Sequence, residues 1–147
     1  MKKLTALFLA VAAALSLMML SGCTPGGTPE GTPLPEGMSE ETVIAEGRKV
    51  VKMLVDEQYF EIVDLMRPDV AAGVAPGNIK DLMESINKKS GKYEQESSAM
   101  ATGQENKEAG EPLGEAVIFA DHEKKQVRYR IVFDTEMNLV GLQIRKY

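Results

Sequence analysis

His122 and Cys23 are the only histidine and the only cysteine in the chain, so any Ser-His, Cys-His or histidine-metal chemistry must pass through one of two positions. His122 falls in "ADHEKKQ" beside Glu123 and Lys124. A triad or a metal cluster needs converging partners, and a turn of this composition is expected to turn its histidine to water. No serine stands in a Gly-x-Ser-x-Gly context, so no nucleophile elbow is predicted. Glu105, Glu108 and Glu111 form an acidic stretch, but they lack the D-x-D-x-D-G spacing of a calcium loop and read as solvated charge. Lys88, Lys89 and Lys92 read as the basic end of one helix. In a chain of net charge −5 they are not a nucleic-acid stripe. No metal, no cofactor and no nucleic acid is expected.

Three helices are predicted in the first part of the folded region. "SEETVIAEGRKVVKMLVDEQ" opens with a capping Ser39 and acidic Glu40 and Glu41, which suit the positive end of a helix dipole. Val43, Gly47, Val50 and Leu54, with Ile44, Val51 and Val55, recur at steps of three and four and make one apolar face. Tyr59, Ile62, Val63 and Met66 form a second short face, which Arg67-Pro68 ends because the residue before proline disfavours helix. A third helix runs from the Pro76-Gly77-Asn78 break to a C-capping Gly91, with Ile79, Leu82, Met83 and Ile86 inward.

After Gly91 the period becomes two. Val127, Tyr129, Ile131 and Phe133 alternate with Arg128, Arg130 and Val132, giving one buried and one largely exposed face. "KYEQESSAMAT" reads as a first, polar strand, "TGQENKEAGEPLG" as a long loop, and "DHEKK" and "DTEMN" as hairpin turns among three further strands. The expected architecture is α+β: about three N-terminal helices packed on a curved four-stranded antiparallel sheet.

The start of the chain reads differently. Lys2 and Lys3 precede the apolar "LTALFLAVAAALSLMML" and the exit Leu20-Ser21-Gly22-Cys23, the three parts of a secretory signal. The exit resembles the bacterial lipobox, which implies cleavage between Gly22 and Cys23 and a diacylglyceryl group on the cysteine sulfur. A lone thiol in an exported chain has no internal disulfide partner, and lipidation gives it a use. Two acyl chains anchor stably. Without Lys2 and Lys3 the 17 basic residues fall to 15 against 22 acidic ones, a net charge of −7, so anionic lipid repels the protein surface while the anchor holds it. Residues 23–38, rich in Thr, Pro and Gly, are expected to be a disordered spacer. Residues 1–22 are then the signal and residues 39–147 a single domain.

The segments "VVKMLVDEQYFEIVDLM", "LMESINKKSGKYEQ" and "VRYRIVFDTEMNLVGLQIRK" resemble the bacterial domain of unknown function 3887, over about residues 43 to 146. Gly91 to Tyr93 and the closing "VFDTEMNLVGL" carry most of the likeness. The resemblance implies a nuclear transport factor 2-like, cystatin-like cone. Such a cone can hold an isomerase-type pair, a carboxylate base with a tyrosine donor; Asp56 or Asp64 with Tyr59, Tyr93 or Tyr129 are the residues available. Asp64 is off the Tyr59/Ile62/Met66 stripe and is expected to face solvent. Family members also occur before α/β-hydrolase domains, for which this chain has no motif.

Two uses of the cone remain open. Tyr93, Tyr129 and Phe133, beside Phe60 and Met83, either line an apolar mouth or fill the core. Arg128, Arg130 and Arg145 lie on the other sheet face, where cone-fold relatives often dimerise, and suit an interface or a solvated surface. The expected function is a lipid-anchored, extracytoplasmic, non-catalytic domain that binds a ligand or an envelope protein. The alternatives are a dimerising structural module without ligand and a cone-fold isomerase- or hydrolase-type enzyme.

Overall fold

The computed structural model describes residues 31–147. The expected signal, with its expected cleavage between Gly22 and Cys23 and lipidation of Cys23, and the first part of the expected spacer lie outside the described residues. The helices are α1 (Glu40–Val55), α2 (Tyr59–Asp64), α3 (Pro68–Ala71) and α4 (Pro76–Ser90). The strands β1 (Tyr93–Asn106), β2 (Glu111–His122), β3 (Gln126–Phe133) and β4 (Leu139–Lys146) follow. The sheet is an antiparallel meander in the order β1-β2-β3-β4. The α+β architecture expected above is the one observed, with a fourth, single-turn helix added because Pro68 supplies a ready N-terminus for α3.

Local chemistry explains the helix ends. Ser39 Oγ accepts the Thr42 N–H at 3.1 Å and caps α1. Arg67 is extended, as the residue before a proline must be, and breaks α2 from α3. Gly91 ends α4 at φ +79°, and a Cβ there would sit 2.6 Å from that of Glu123.

The core lies between the helices and one sheet face. Val43, Val50, Leu54, Ile62, Met83 and Ile86 meet Ala116, Ile118, Val127, Tyr129, Ile131, Phe133 and Ile144. Gly47 lets α1 settle onto β2, since a Cβ at that position would lie 2.5 Å from the Ala116 methyl.

Two stretches differ from expectation. The segment 102–114 is not a long loop, because β1 and β2 continue through it, pairing Thr102 with Glu115 and Asn106 with Glu111. Ladder bonds need only backbone, so a polar, glycine-containing stretch can pair as well as an apolar one. Asn106 Oδ1 closes the turn by accepting the Glu108 N–H at 3.1 Å. The spacer's end is also ordered against the domain. Gly103 N–H donates to the Thr32 carbonyl at 2.7 Å, and Leu34 and Met38 pack on the core. This covers the free edge of β1. At the other edge, Arg67 and Leu65 exchange backbone hydrogen bonds with Leu139 at 3.0 and 2.9 Å. Neither edge strand is left wholly open.

Candidate functional site

The space between the helices and the sheet holds the core. Tyr129 and Phe133 are buried with Met83 in the core, so these three pack rather than line a mouth. Phe60 is corrected outright: it is 74 % exposed, because it stands about 100° around α2 from Tyr59, on the far side from the buried Ile62. Tyr93 is half-buried and lines a small cleft of about 280 Å³ with Arg48, Val51, Lys52, Val55 and Glu96. There Arg48 grips Glu96 through Nε and Nη2 at 2.9 and 2.7 Å. This hydrogen-bonded pairing holds the Glu96 carboxyl below its usual range.

His122 also departs from expectation. It is the last residue of β2, not part of the turn, and it is buried. Its Nδ1–H donates to the Gly91 carbonyl at 2.7 Å. In the neutral ring Nε2 is then the acceptor for the Tyr129 hydroxyl at 2.8 Å. Tyr93 meets the imidazole edge-on at 5.9 Å. The histidine thus ties the end of α4 to β2 and β3. Burial pushes the Tyr129 phenol well above its ordinary pKa, which suits a structural donor.

The isomerase-type pairs do not assemble among the described residues. Asp56 is exposed and ion-paired with Lys52. Asp64 is exposed, as its place off the stripe implied. The acidic stretch separates as well. Glu105 and Glu108 are exposed, while Glu111 pairs with Arg67, which also holds Asp69. Lys88 and Lys89 close α4, and Lys92 follows Gly91. A buried carboxylate unforeseen in the sequence, Asp134, organises the β3–β4 turn by accepting the N–H groups of Glu136 and Asn138 at 3.0 and 2.9 Å.

The outer face of the sheet is different. Antiparallel register aligns Ser98, Phe119, Arg128 and Arg145 in one row, Met100, Val117, Arg130 and Gln143 in the next, then Thr102, Glu115, Val132 and Gly141. A trough of about 860 Å³ lies over these rows, and residues 31–34 form its wall along β1. Arg130 makes a two-pronged pair with Glu115, with Nη2 to Oε2 at 2.9 Å. Glu115, although on the outer face, is buried beneath it.

Arg128 has no such partner. Its Nε is buried without a hydrogen bond among the described residues. Its guanidinium carbon lies 5.9 Å from the centre of the Tyr147 ring, which itself meets Phe119 edge-on at 5.2 Å. Asp121, one row away, is taken by the amides of Gln126 and Gln95 at 3.3 and 3.4 Å. Arg145, opposite Arg128 in register, is exposed and forms no ion pair among the described residues.

A family model described as a protein of unknown function (DUF3887) matches residues 47–142. The chain belongs to that family. Among curated proteins none matches it. The solution structure of a protein from Ruminococcus gnavus ATCC 29149 is similar to this DUF3887 chain in fold. It has a TM-score of 0.65 at 21% identity, covering 77% of this chain and 96% of that one.

Proposed function

We propose that this DUF3887 chain is a lipid-anchored extracytoplasmic binding domain of the cone type, without catalysis of its own, and that its ligand lies in the outer trough. The observation that carries this is the contrast in filling. On the inner face Tyr129 and Phe133 are buried in the core, while the outer trough keeps a charged group, Arg128, with a buried nitrogen unmatched. Its volume of about 860 Å³ falls in the range of roughly 300–1,000 Å³ usual for small-molecule sites, and a mainly apolar lining with a few charged groups is usual for them too.

The proposed anchor fits this geometry. Thr32, on the trough wall, stands nine positions after Cys23, and that length of chain spans roughly 30 Å when fully extended. A diacylglyceryl group on Cys23 would hold the trough close to the outer membrane surface. The membrane is the partner of the anchor, and the trough is left for a second molecule.

The test has two parts. Metabolic labelling with a fatty acid should tag the wild type and not Cys23→Ala, and a wild type without label would remove the anchor. Thermal unfolding of the full chain in uncharged nanodiscs should then be followed against envelope lipids, sterol-like compounds, peptidoglycan fragments and divalent ions. A ligand at a hundred times its dissociation constant stabilises by about 2.7 kcal/mol. A saturable shift that Val117→Arg abolishes supports the trough. No shift with any class, in a chain that sediments as a dimer, would replace this proposal with an assembly role for the same face.

A further inference from the structure

Arg128 and Arg145 face each other across β3 and β4 on one side of the sheet. Like charges directly opposite each other in a sheet repel and are normally relieved by an acid in the neighbouring row. Two acids near the pair are committed elsewhere, Glu115 to Arg130 and Asp121 to two glutamines, while Glu40 also lines the trough. What remains is a pair of guanidinium groups, one of them flanked by Phe119 and Tyr147, with a buried Nε–H that has no acceptor among the described residues. Beside the pair runs an apolar floor of Met100, Val117 and Phe119.

We infer that the trough takes a single-chain amphiphilic anion, its carboxylate or phosphate head on Arg128 and its apolar body along Phe119, Val117 and Met100. This rests on the trough reading above and adds the chemical class of the ligand. Guanidinium forks match carboxylate and phosphate oxygens, and such charge-assisted hydrogen bonds are stronger than neutral ones. The overall charge narrows the class. A chain of net charge −5 repels extended polyanions and anionic bilayer surfaces, whereas one local guanidinium, Arg128, can still accept one small anionic head. The ligand is therefore free in the aqueous phase and not part of a bilayer.

The experiment uses the full chain in nanodiscs of uncharged phosphatidylcholine and an octanoate bearing a diazirine at its tail, with crosslinks mapped by mass spectrometry. Saturable labelling of Met100, Val117 or Phe119 is expected. Octanoate or octyl phosphate should compete, and octyl glucoside should not. Arg128→Gln should weaken labelling by about 10- to 100-fold, the loss expected for a charge-assisted hydrogen bond. Arg128→Lys should keep part of it, and Arg48→Gln, on the opposite side of β1, should change nothing. Phe119→Ala provides a second variant should Arg128→Gln fail to give a normal melt.

Labelling of the trough that octyl glucoside competes equally, or that Arg128→Gln leaves intact, would overturn the anionic class while leaving a trough that binds. Competition only by vesicles containing phosphatidylglycerol would overturn the free amphiphile. Unsaturable labelling scattered outside the trough would sink both the trough reading and this inference.

Discussion

The two faces of the sheet satisfy their polar groups in opposite ways. On the inner face the polar atoms of His122 and Tyr129 meet each other and the Gly91 carbonyl. A dry, low-dielectric site makes any unmatched donor costly. On the outer face Glu115 and Arg130 close on one another, but Arg128 and Arg145 are left over. Alternate residues of a single strand, β3, serve both faces: Tyr129 is fully matched while its neighbour Arg128 is not. On the reading proposed above, that spare capacity at Arg128 is what a ligand would use. The inner face belongs to stability.

The contrast should break first on the inner side. Tyr129→Ala removes a fully buried aromatic and is expected to cost about 3–5 kcal/mol in urea denaturation. Tyr129→Phe should cost about 1–3 kcal/mol, because it leaves His122 Nε2 buried without a partner; a change near zero would mean that the hydrogen bond is not made. Gly47→Val drives a side chain into Ala116, and about 1–3 kcal/mol is expected from overpacking.

On the outer side the effects are smaller and asymmetric. Arg130→Gln strands the buried Glu115 carboxylate and should cost about 1–3 kcal/mol. Glu115→Gln leaves a half-exposed arginine that water can reach, so it should cost less. The reverse order would show that Glu115 is not buried as described. The Arg48–Glu96 pair, largely exposed, is worth about 0.2–1 kcal/mol. Because Glu96 is held below its unfolded pKa, its contribution is present above the usual glutamate range and lost as pH falls through the folded value. Wild type and Arg48→Gln melting curves should therefore differ most at neutral pH and converge in acid. Arg128→Gln should be smallest, within about 0.5 kcal/mol and toward stabilisation, since it relieves a like-charge pair.

Much of this fold was legible in the sequence. The strict alternation of β3, the three-and-four spacing of α1, the Arg67-Pro68 break and the Gly91 cap each express a local rule, and each element forms where that rule puts it. The β1–β2 hairpin was hidden because its pairing around Gly103 and Gly114 relies on backbone bonds that leave no side-chain pattern. His122 was misplaced for a related reason. The "DHEKK" composition marks a turn correctly, but the residue's burial depends on Gly91, 31 positions away, which only the tertiary fold brings near. Phe60 could have been excluded, since the Tyr59/Ile62/Met66 stripe already turned it outward.

The trough lay further from reach. Arg128, Arg130 and Arg145 were visible as one face, but which arginine finds an acid depends on the register of three strands. That register pairs Phe119 with Arg128 and sets Glu115 one row beyond Arg130. The edge segment around Thr32, which completes the wall, came from a stretch whose composition suggests only a spacer.

The most direct test of the central claim is the side-chain Nε–H signal of Arg128 in arginine-labelled full-length protein, recorded with and without octanoate. At saturation Arg128 Nε–H should shift and become protected from exchange, while that of Arg130, already bound to Glu115, should stay unchanged. An unmoved Arg128 signal, or equal movement of every arginine, would contradict the account.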